Sequence, residues 1–179
     1  EDRGLVFEVY IHVPFCLRRC GYCDFNTYTA TDLGAGASRG NYANMVIREM
    51  KLTKQWQLDH GIEEPPVSTV FFGGGTPTIL AARDLVAMLD AVRKIWSIAP
   101  DAEITTEAVE PTTKMGRQIA AGTLPKPNDD DEAAKYEIAD DLFAAAGLEW
   151  YEVSNWARPG YESQHNLGYW RNVDWAGLG

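Results

Sequence analysis

Apolar positions fall into short runs and helical stripes that alternate along the first hundred residues. Val6 to Val13 reads Val-Phe-Glu-Val-Tyr-Ile-His-Val and stops at Pro14. A β-branched and aromatic run of that length, closed by proline, predicts a buried strand. Thr31 to Gly40, rich in Gly, Ala and Ser, reads as a flexible connection. Asn41 then stands as an N-cap ahead of Tyr42, Met45, Val46 and Met50, whose spacing predicts a helix continuing to about His60. Pro65-Pro66 breaks the pattern, and Val67 to Phe72 is a second apolar strand running into Gly73-Gly74-Gly75-Thr76-Pro77. Leu85, Met88, Leu89, Val92, Ile95 and Trp96 share one face of a second helix, from about Ala81 to Ile98, and Glu103 to Ala108 is a third strand. Such alternation predicts a parallel sheet with helices packed on it.

After Ala108 the texture changes. Thr112 to Ala121 reads as a short helix closed by Gly122, with Pro125 and Pro127 marking a linker. Asn128 to Asp131 offers a cap and an acidic first turn to a third long helix. That helix is expected to bury Ile138, Leu142 and Ala145 and to stop at Gly147. Leu148 to Val153 is a further strand, and the tail is aromatic, with Trp150, Tyr151, Trp156, Tyr161, Tyr169, Trp170 and Trp175. The change divides the chain into two parts, 1–108 and 109–179, and no internal repeat is evident.

A length of 179 residues suits one domain, but a full eight-stranded α/β barrel needs about 200 or more. A net charge of −10, from 16 basic and 26 acidic side chains, argues against a nucleic-acid partner. No spanning helix is expected, because no long apolar run exists. The opening Glu1-Asp2-Arg3 lacks the basic and apolar regions of a secretory signal, so none is expected.

The cysteines change the picture more. Only Cys16, Cys20 and Cys23 are present, all within eight residues. An odd, tight cluster suggests reduced thiols in the cytoplasm rather than a disulfide framework. The spacing Cys-x3-Cys-x2-Cys suits an iron–sulfur cluster better than zinc, which usually wants four protein ligands in a structural site. Three thiolates on a 4Fe–4S cube leave one iron open to a ligand. A zinc site completed by His12 or His165 is the alternative.

Tyr10-Ile-His-Val-Pro-Phe-Cys16-Leu-Arg-Arg-Cys20-Gly-Tyr-Cys23-Asp-Phe-Asn resembles the radical S-adenosylmethionine (SAM) superfamily. Within it the run is most similar to the HemW-type haem chaperones, relatives of oxygen-independent coproporphyrinogen oxidase. The resemblance implies an α/β fold, an incomplete TIM-type radical SAM barrel. It also implies a 4Fe–4S cluster on Cys16, Cys20 and Cys23 whose open iron chelates SAM, the source of a 5′-deoxyadenosyl radical. Tyr22 takes the aromatic position before the last cysteine. Gly74, Gly75 and Thr76 match the glycine motif that holds the methionine end of SAM, and Tyr10 lies near the cluster-bound end. Glu107 matches a strand-three carboxylate that binds the ribose hydroxyls.

The tail adds Glu152-Val-Ser-Asn-Trp156 and His165-Asn166-Leu-Gly-Tyr169-Trp170, similar to the signature of the haem-chaperone branch. The resemblance implies haem as a ligand, with His165 as its axial residue, haem-accepting respiratory proteins as partners, and an electron donor for the cluster. It leaves room for membrane-surface association through the acceptor. Phe25 stands where dehydrogenating relatives carry a further cysteine, which favours a chaperone. A radical porphyrinogen oxidase and a non-catalytic remnant are the alternatives.

The match breaks at one place. Glu107-Ala108 runs directly into Val109-Glu110-Pro111-Thr112, which resembles the stretch after the family's sixth strand. About three strand–helix units of a barrel are therefore expected to be missing, along with SAM-contacting positions they would carry. The edge left at Glu103–Ala108 is expected to invite self-association.

Overall fold

The first apolar run forms strand β1 (Phe7–Val13), whose successive side chains point to opposite faces. The computed structural model describes residues 6–17, 25–34, 36–107, 129–153 and 155–179. In chain order β1 is followed by α1 (Tyr42–Asp59), β2 (Val67–Gly74), a 3-10 turn at Pro77–Ile79, α2 (Ala82–Trp96) and β3 (Ile98–Thr106). Then come α3 (Asp129–Ala145), a hairpin of β4 (Glu149–Glu152) and β5 (Asn155–Ala157), α4 (Gln164–Arg171) and β6 (Asp174–Leu178).

Four strands make one sheet in the order β3-β2-β1-β6, every pair parallel. On one face, Phe7, Val9, Ile11 and Val13 of β1 join Tyr42, Val46 and Met50 of α1 and Met88, Val92 and Trp96 of α2 in a single apolar core. The Trp96 indole N–H, which burial obliges to find a partner, donates to Gln57 Oε1 of α1 at 2.7 Å. The other face carries Glu8, Tyr10 and His12 of β1 and Thr69 and Phe71 of β2, and α4 lies across it, with His165 on Thr69 and Phe71. The resulting α/β fold is an arc of a parallel barrel. Its last strand closes on β1, so the sheet draws on both parts of the chain and the change of texture after Ala108 does not divide it.

Four details differ from the sequence reading. Asn41 occupies the N-cap position of α1 without capping it, because its Oδ1 accepts from the Asn44 side-chain amide at 3.1 Å while its own amide donates to the Gly36 carbonyl at 3.0 Å. Strand β3 begins five residues early, at Ile98, since Val67 pairs there before the register shifts to Thr69 with Glu103. Helix α3 does not bury Ile138, Leu142 or Ala145; the first two are 58% and 64% exposed, and Ala145 is exposed as well. The helix turns Tyr136, Asp140 and Phe143 toward the hairpin instead. There the Trp156 ring lies 5.2 Å and 5.0 Å from Tyr136 and Phe143 and its N–H donates to Asp140 at 2.6 Å. Among the described residues the strand read at Leu148–Val153 pairs only with β5, in an antiparallel hairpin separate from the main sheet. The short helix read at Thr112–Ala121, its closing Gly122 and the linker prolines lie outside the described residues.

Met88 is fully buried under the sheet, whereas Val86, on the same helix, is 57% exposed. Met88→Ala is expected to lower unfolding free energy by about 2–5 kcal/mol. Val86→Ala should stay within about 0.5 kcal/mol of the parent. Urea midpoints of the two variants check the placement of α2.

Candidate functional site at the ends of the parallel strands

The cysteine segment leaves the C-terminal end of β1, where parallel α/β folds place their chemistry. Its two limbs are tied together just outside the strand. Cys16 N–H donates to the Tyr28 carbonyl at 2.9 Å, and Tyr28 N–H donates to the Pro14 carbonyl at 2.7 Å. His12 adds a third tie. Its Nε2 meets the Asn26 carbonyl at 3.0 Å, and a carbonyl only accepts, so the proton sits on Nε2. The Tyr10 hydroxyl then donates to His12 Nδ1, also at 3.0 Å.

The glycine run at the end of β2 presses against this segment. Gly75 N–H donates to the Val13 carbonyl at 2.7 Å and Thr76 N–H to the Phe15 carbonyl at 2.9 Å. A Cβ on Gly75 would fall 2.6 Å from the Phe15 oxygen and 2.8 Å from the Cys16 sulfur. Gly74 has φ +105°, a conformation only glycine adopts readily. Thr76 Oγ1 approaches Cys16 Sγ at 3.8 Å. From the end of β3, the Glu107 carboxylate accepts the Gly74 N–H at 3.1 Å. Burial raises the Glu107 pKa, opposed by that hydrogen bond and by His12.

Cys16, Gly74–Thr76 and Glu107 thus meet at the ends of three adjacent strands, with Tyr10 one layer below. Among the described residues no three His, Cys, Asp or Glu side chains are arranged to hold a metal ion. Cys20, Cys23 and Tyr22 lie outside the described residues. Cys16, the one described donor, fits the expected group: its buried thiol is soft enough for iron–sulfur ligation and lies against the Gly75 backbone, where any Cβ would collide with it. Both ring nitrogens of His12 and of His165 are hydrogen-bonded, so a metal at either histidine, zinc or haem iron alike, would have to displace one of those partners.

His165 lies elsewhere, on the face of the sheet below Tyr10, and is 1% exposed. Its ring stacks on Phe71 with centroids 5.0 Å apart and planes inclined by 18°. Nδ1 contacts Thr69 Oγ1 at 2.6 Å, and Nε2 contacts the Tyr169 hydroxyl at 2.9 Å. Glu8 Oε2 stands 3.5 Å from Nδ1 and has no hydrogen-bond partner among the described residues. Gly168 lets the helix descend onto Glu8, because a Cβ there would collide with the carboxylate. Glu103 caps the helix, accepting from Ser163 Oγ at 3.0 Å, Gln164 N at 2.9 Å and His165 N at 3.3 Å.

Sequence reasoning missed Glu8, Thr69, Glu103 and Gly168 in this cluster. One signal was present, a glutamate inside the apolar run of β1, which a buried strand tolerates only with polar partners. A cavity of about 540 Å³ opens beneath Glu8 at the N-terminal end of the sheet, so it lies at the opposite end from Cys16.

The model of the Radical SAM superfamily matches residues 10–135. The chain is 32% identical to a heme chaperone HemW of Mycobacterium tuberculosis, covering 98% of this chain and 68% of the relative. It is 25% identical to the HemW of Escherichia coli, covering 96% and 68%. The first alignment runs over 273 positions, so at least 94 of them (273 less 179) have no counterpart in this chain. Among solved structures, coproporphyrinogen III oxidase (HemN) from Escherichia coli, described as a radical SAM enzyme, superposes with a TM-score of 0.63. That likeness, at 14% identity over 98% of this chain and 63% of that one, concerns the fold alone. The chain spans about two thirds of the length of these proteins.

The buried pair makes stability depend on pH. Burial, reinforced by Glu103 and opposed by Arg171 and Thr69, lifts the Glu8 pKa from 4.5 to about 7. Stability from such a raised acid is complete below its unfolded value and is lost as pH rises through about 7. Burial lowers His165 from 6.5 to about 4, so its contribution runs oppositely and is lost as pH falls through about 4. Glu8→Gln is therefore expected to gain up to about 3 kcal/mol over the parent at pH 8 and almost nothing at pH 4.5. Urea titrations at both pH values measure the difference, and a difference independent of pH would mean that Glu8 ionises freely.

Proposed function

The chain belongs to the radical SAM superfamily, and within it to the family of HemW haem chaperones, and from that premise we propose that it binds haem and passes it to haem-accepting proteins. In this reading Cys16, Cys20 and Cys23 hold a 4Fe–4S cluster, with Tyr22 beside the last of them. Gly74, Gly75, Thr76 and Tyr10 flank the methionine end of SAM, and Glu107 takes its ribose hydroxyls. When bound, the cluster supplies single electrons to SAM. The protein's own part is positional. His12 and the Cys16–Tyr28 bonds hold the cysteine segment closed, and Gly75 lets the β2 turn sit against the Cys16 thiol. Glu107 holds the Gly74 amide while its second oxygen is left for a ligand.

The observation that carries the cofactor half is the convergence of Cys16, Gly75, Thr76 and Glu107 at three strand ends. The haem half rests on the family and on His165, the histidine of the branch's own motif. A radical porphyrinogen oxidase is the second reading, favoured by the HemN-like fold. Phe25, where such enzymes carry a cysteine, speaks against it. Among the described residues no helix is long and apolar enough to cross a membrane. The proposed setting is the cytoplasm, with an electron donor, haem-accepting respiratory proteins and, through the β3 edge, a second copy as partners.

Anaerobic reconstitution with iron and sulfide should give about four irons per chain, and Cys16→Ala should lose them. Hemin should bind with a new Soret band and move to an apo-globin acceptor, while coproporphyrinogen III with SAM and reductant should be left unchanged. Decarboxylation of that substrate would reverse the choice between the two readings. SAM, lacking contacts from the 94 or more absent positions, is expected to bind the reconstituted chain at least about tenfold more weakly than a full-length relative. Calorimetry on both proteins measures the ratio.

A further inference from the structure

One carboxylate is buried without the partner its charge calls for. Glu8 is 1% exposed, and its Oε2 accepts no hydrogen bond among the described residues. His165 Nδ1 stands 3.5 Å away and engages Thr69 Oγ1 at 2.6 Å instead. A buried acceptor in this state calls for a donor from elsewhere. Glu8 also forms part of the wall of the cavity of about 540 Å³ at the N-terminal end of the sheet. The terminal torsion of a glutamate is soft, so its carboxylate can present the free oxygen to a donor that enters there.

The other lining residues decide which charge that donor carries. Asp101 and Glu103 of β3 and Asp174 of β6 join Glu8 around the cavity, against Arg171 alone among the described basic residues. Four negative groups and one positive leave −3 when all are ionised. The strand register brings them to one end, since Asp174 stands opposite Phe7, and Thr69 lies between Glu8 and Glu103. Glu103 is taken by the N-terminus of α4. The side chains of Asp101 and Asp174 are exposed and make no hydrogen bond or ion pair among the described residues. Gly168, Arg171 and Asn172 add the C-terminal end of α4, the negative pole of the helix. Val6 and Val173 place apolar surface between the charges. Among the described residues no three of these acids are arranged to hold a metal ion. Separated carboxylates with apolar surface between them suit ammonium groups separated by methylenes.

We propose that this cavity binds a short aliphatic polyamine, with one ammonium group donating to Glu8 Oε2 at the inner wall and another held by Asp101 and Asp174 at the mouth. A triamine carries the charge that offsets the wall. The site lies at the end of the sheet remote from Cys16 and does not depend on the haem reading.

Spermidine is titrated calorimetrically into the full chain at pH 8, above the Glu8 pKa of about 7, in about 0.15 M salt. One spermidine should bind per chain with a dissociation constant below about 1 mM. Glu8→Gln should lose about tenfold in affinity, the effect of one charge-assisted hydrogen bond. The double variant Asp101→Asn/Asp174→Asn should lose at least as much. Asp59→Asn, exposed at the end of α1, should match the parent, which separates a built site from the general attraction of a chain of net charge −10. Magnesium at the spermidine concentration should leave binding unchanged. Nα-acetyl-lysine amide, with a single ammonium, should bind at least about tenfold more weakly. A dissociation constant above that limit, an equal loss in Asp59→Asn, or displacement by magnesium overturns the proposal. So does full affinity in Glu8→Gln; should that variant not fold, full affinity in the double variant overturns it equally. Acetyl-lysine amide binding as tightly as spermidine overturns the polyamine in favour of a lysine side chain from another protein.

Discussion

The molecule depends on one strand that is buried on both faces by different chemistry. Phe7, Val9, Ile11 and Val13 meet an apolar core, while Glu8, Tyr10 and His12 meet polar and aromatic partners. A buried carboxylate short of hydrogen bonds is costly, and Glu8 is one: Thr69 stands alongside on β2 and α4 lies over it, with Gly168 in place of any larger side chain, yet Oε2 has no hydrogen-bond partner among the described residues. Apart from β1, the helix is held by its Glu103 cap and by the contacts of His165 with Thr69 and Phe71.

The polar face is also ordered along the strand. Glu8, at the start, belongs to the His165 cluster, and His12, near the end, holds the cysteine segment. Tyr10 stands between and touches both. Its ring lies 6.3 Å from His165 and 6.1 Å from Phe71, and its hydroxyl reaches His12. A parallel strand gives this arrangement without further devices, because residues two apart share a face and climb toward the C-terminal edge. The two sites therefore share a rigid support while remaining chemically separate, one formed by a helix laid on the sheet, the other by turns above it.

The half of the fold that repeats strand and helix was legible, and the half that depends on contacts was not. β1, α1, β2 and α2 carry their periodicity locally, and their cores fall where the apolar stripes lie. The face of α3 could not be read that way. Ile138 and Leu142 fit a helical stripe as well as Tyr136 and Phe143 do, and the hairpin's Trp156 decides between them. Likewise α4 and β6 are short and mixed in composition. They exist because Ser163 and Glu103 cap one and β1 pairs with the other. Cys16, Gly75, Thr76 and Glu107 were recognisable by motif, yet the partners of His165 were not. Glu8 and Thr69 sit in strands whose other residues spell only burial.

The strand order also shows where further strand units would join the sheet. In a closed parallel barrel the first strand has the second on one side and the last on the other. Here β1 has β2 and β6, and β3 ends the arc. Strand–helix units added after β3 would therefore lengthen the arc from β3, leaving the β1 neighbourhood as it is. The contacts described for Cys16, Gly75, Glu107 and His165 all come from β1, β2, β3 and α4. None of these contacts needs a strand beyond β3, so the described surroundings of Cys16 and His165 are built by elements this chain contains.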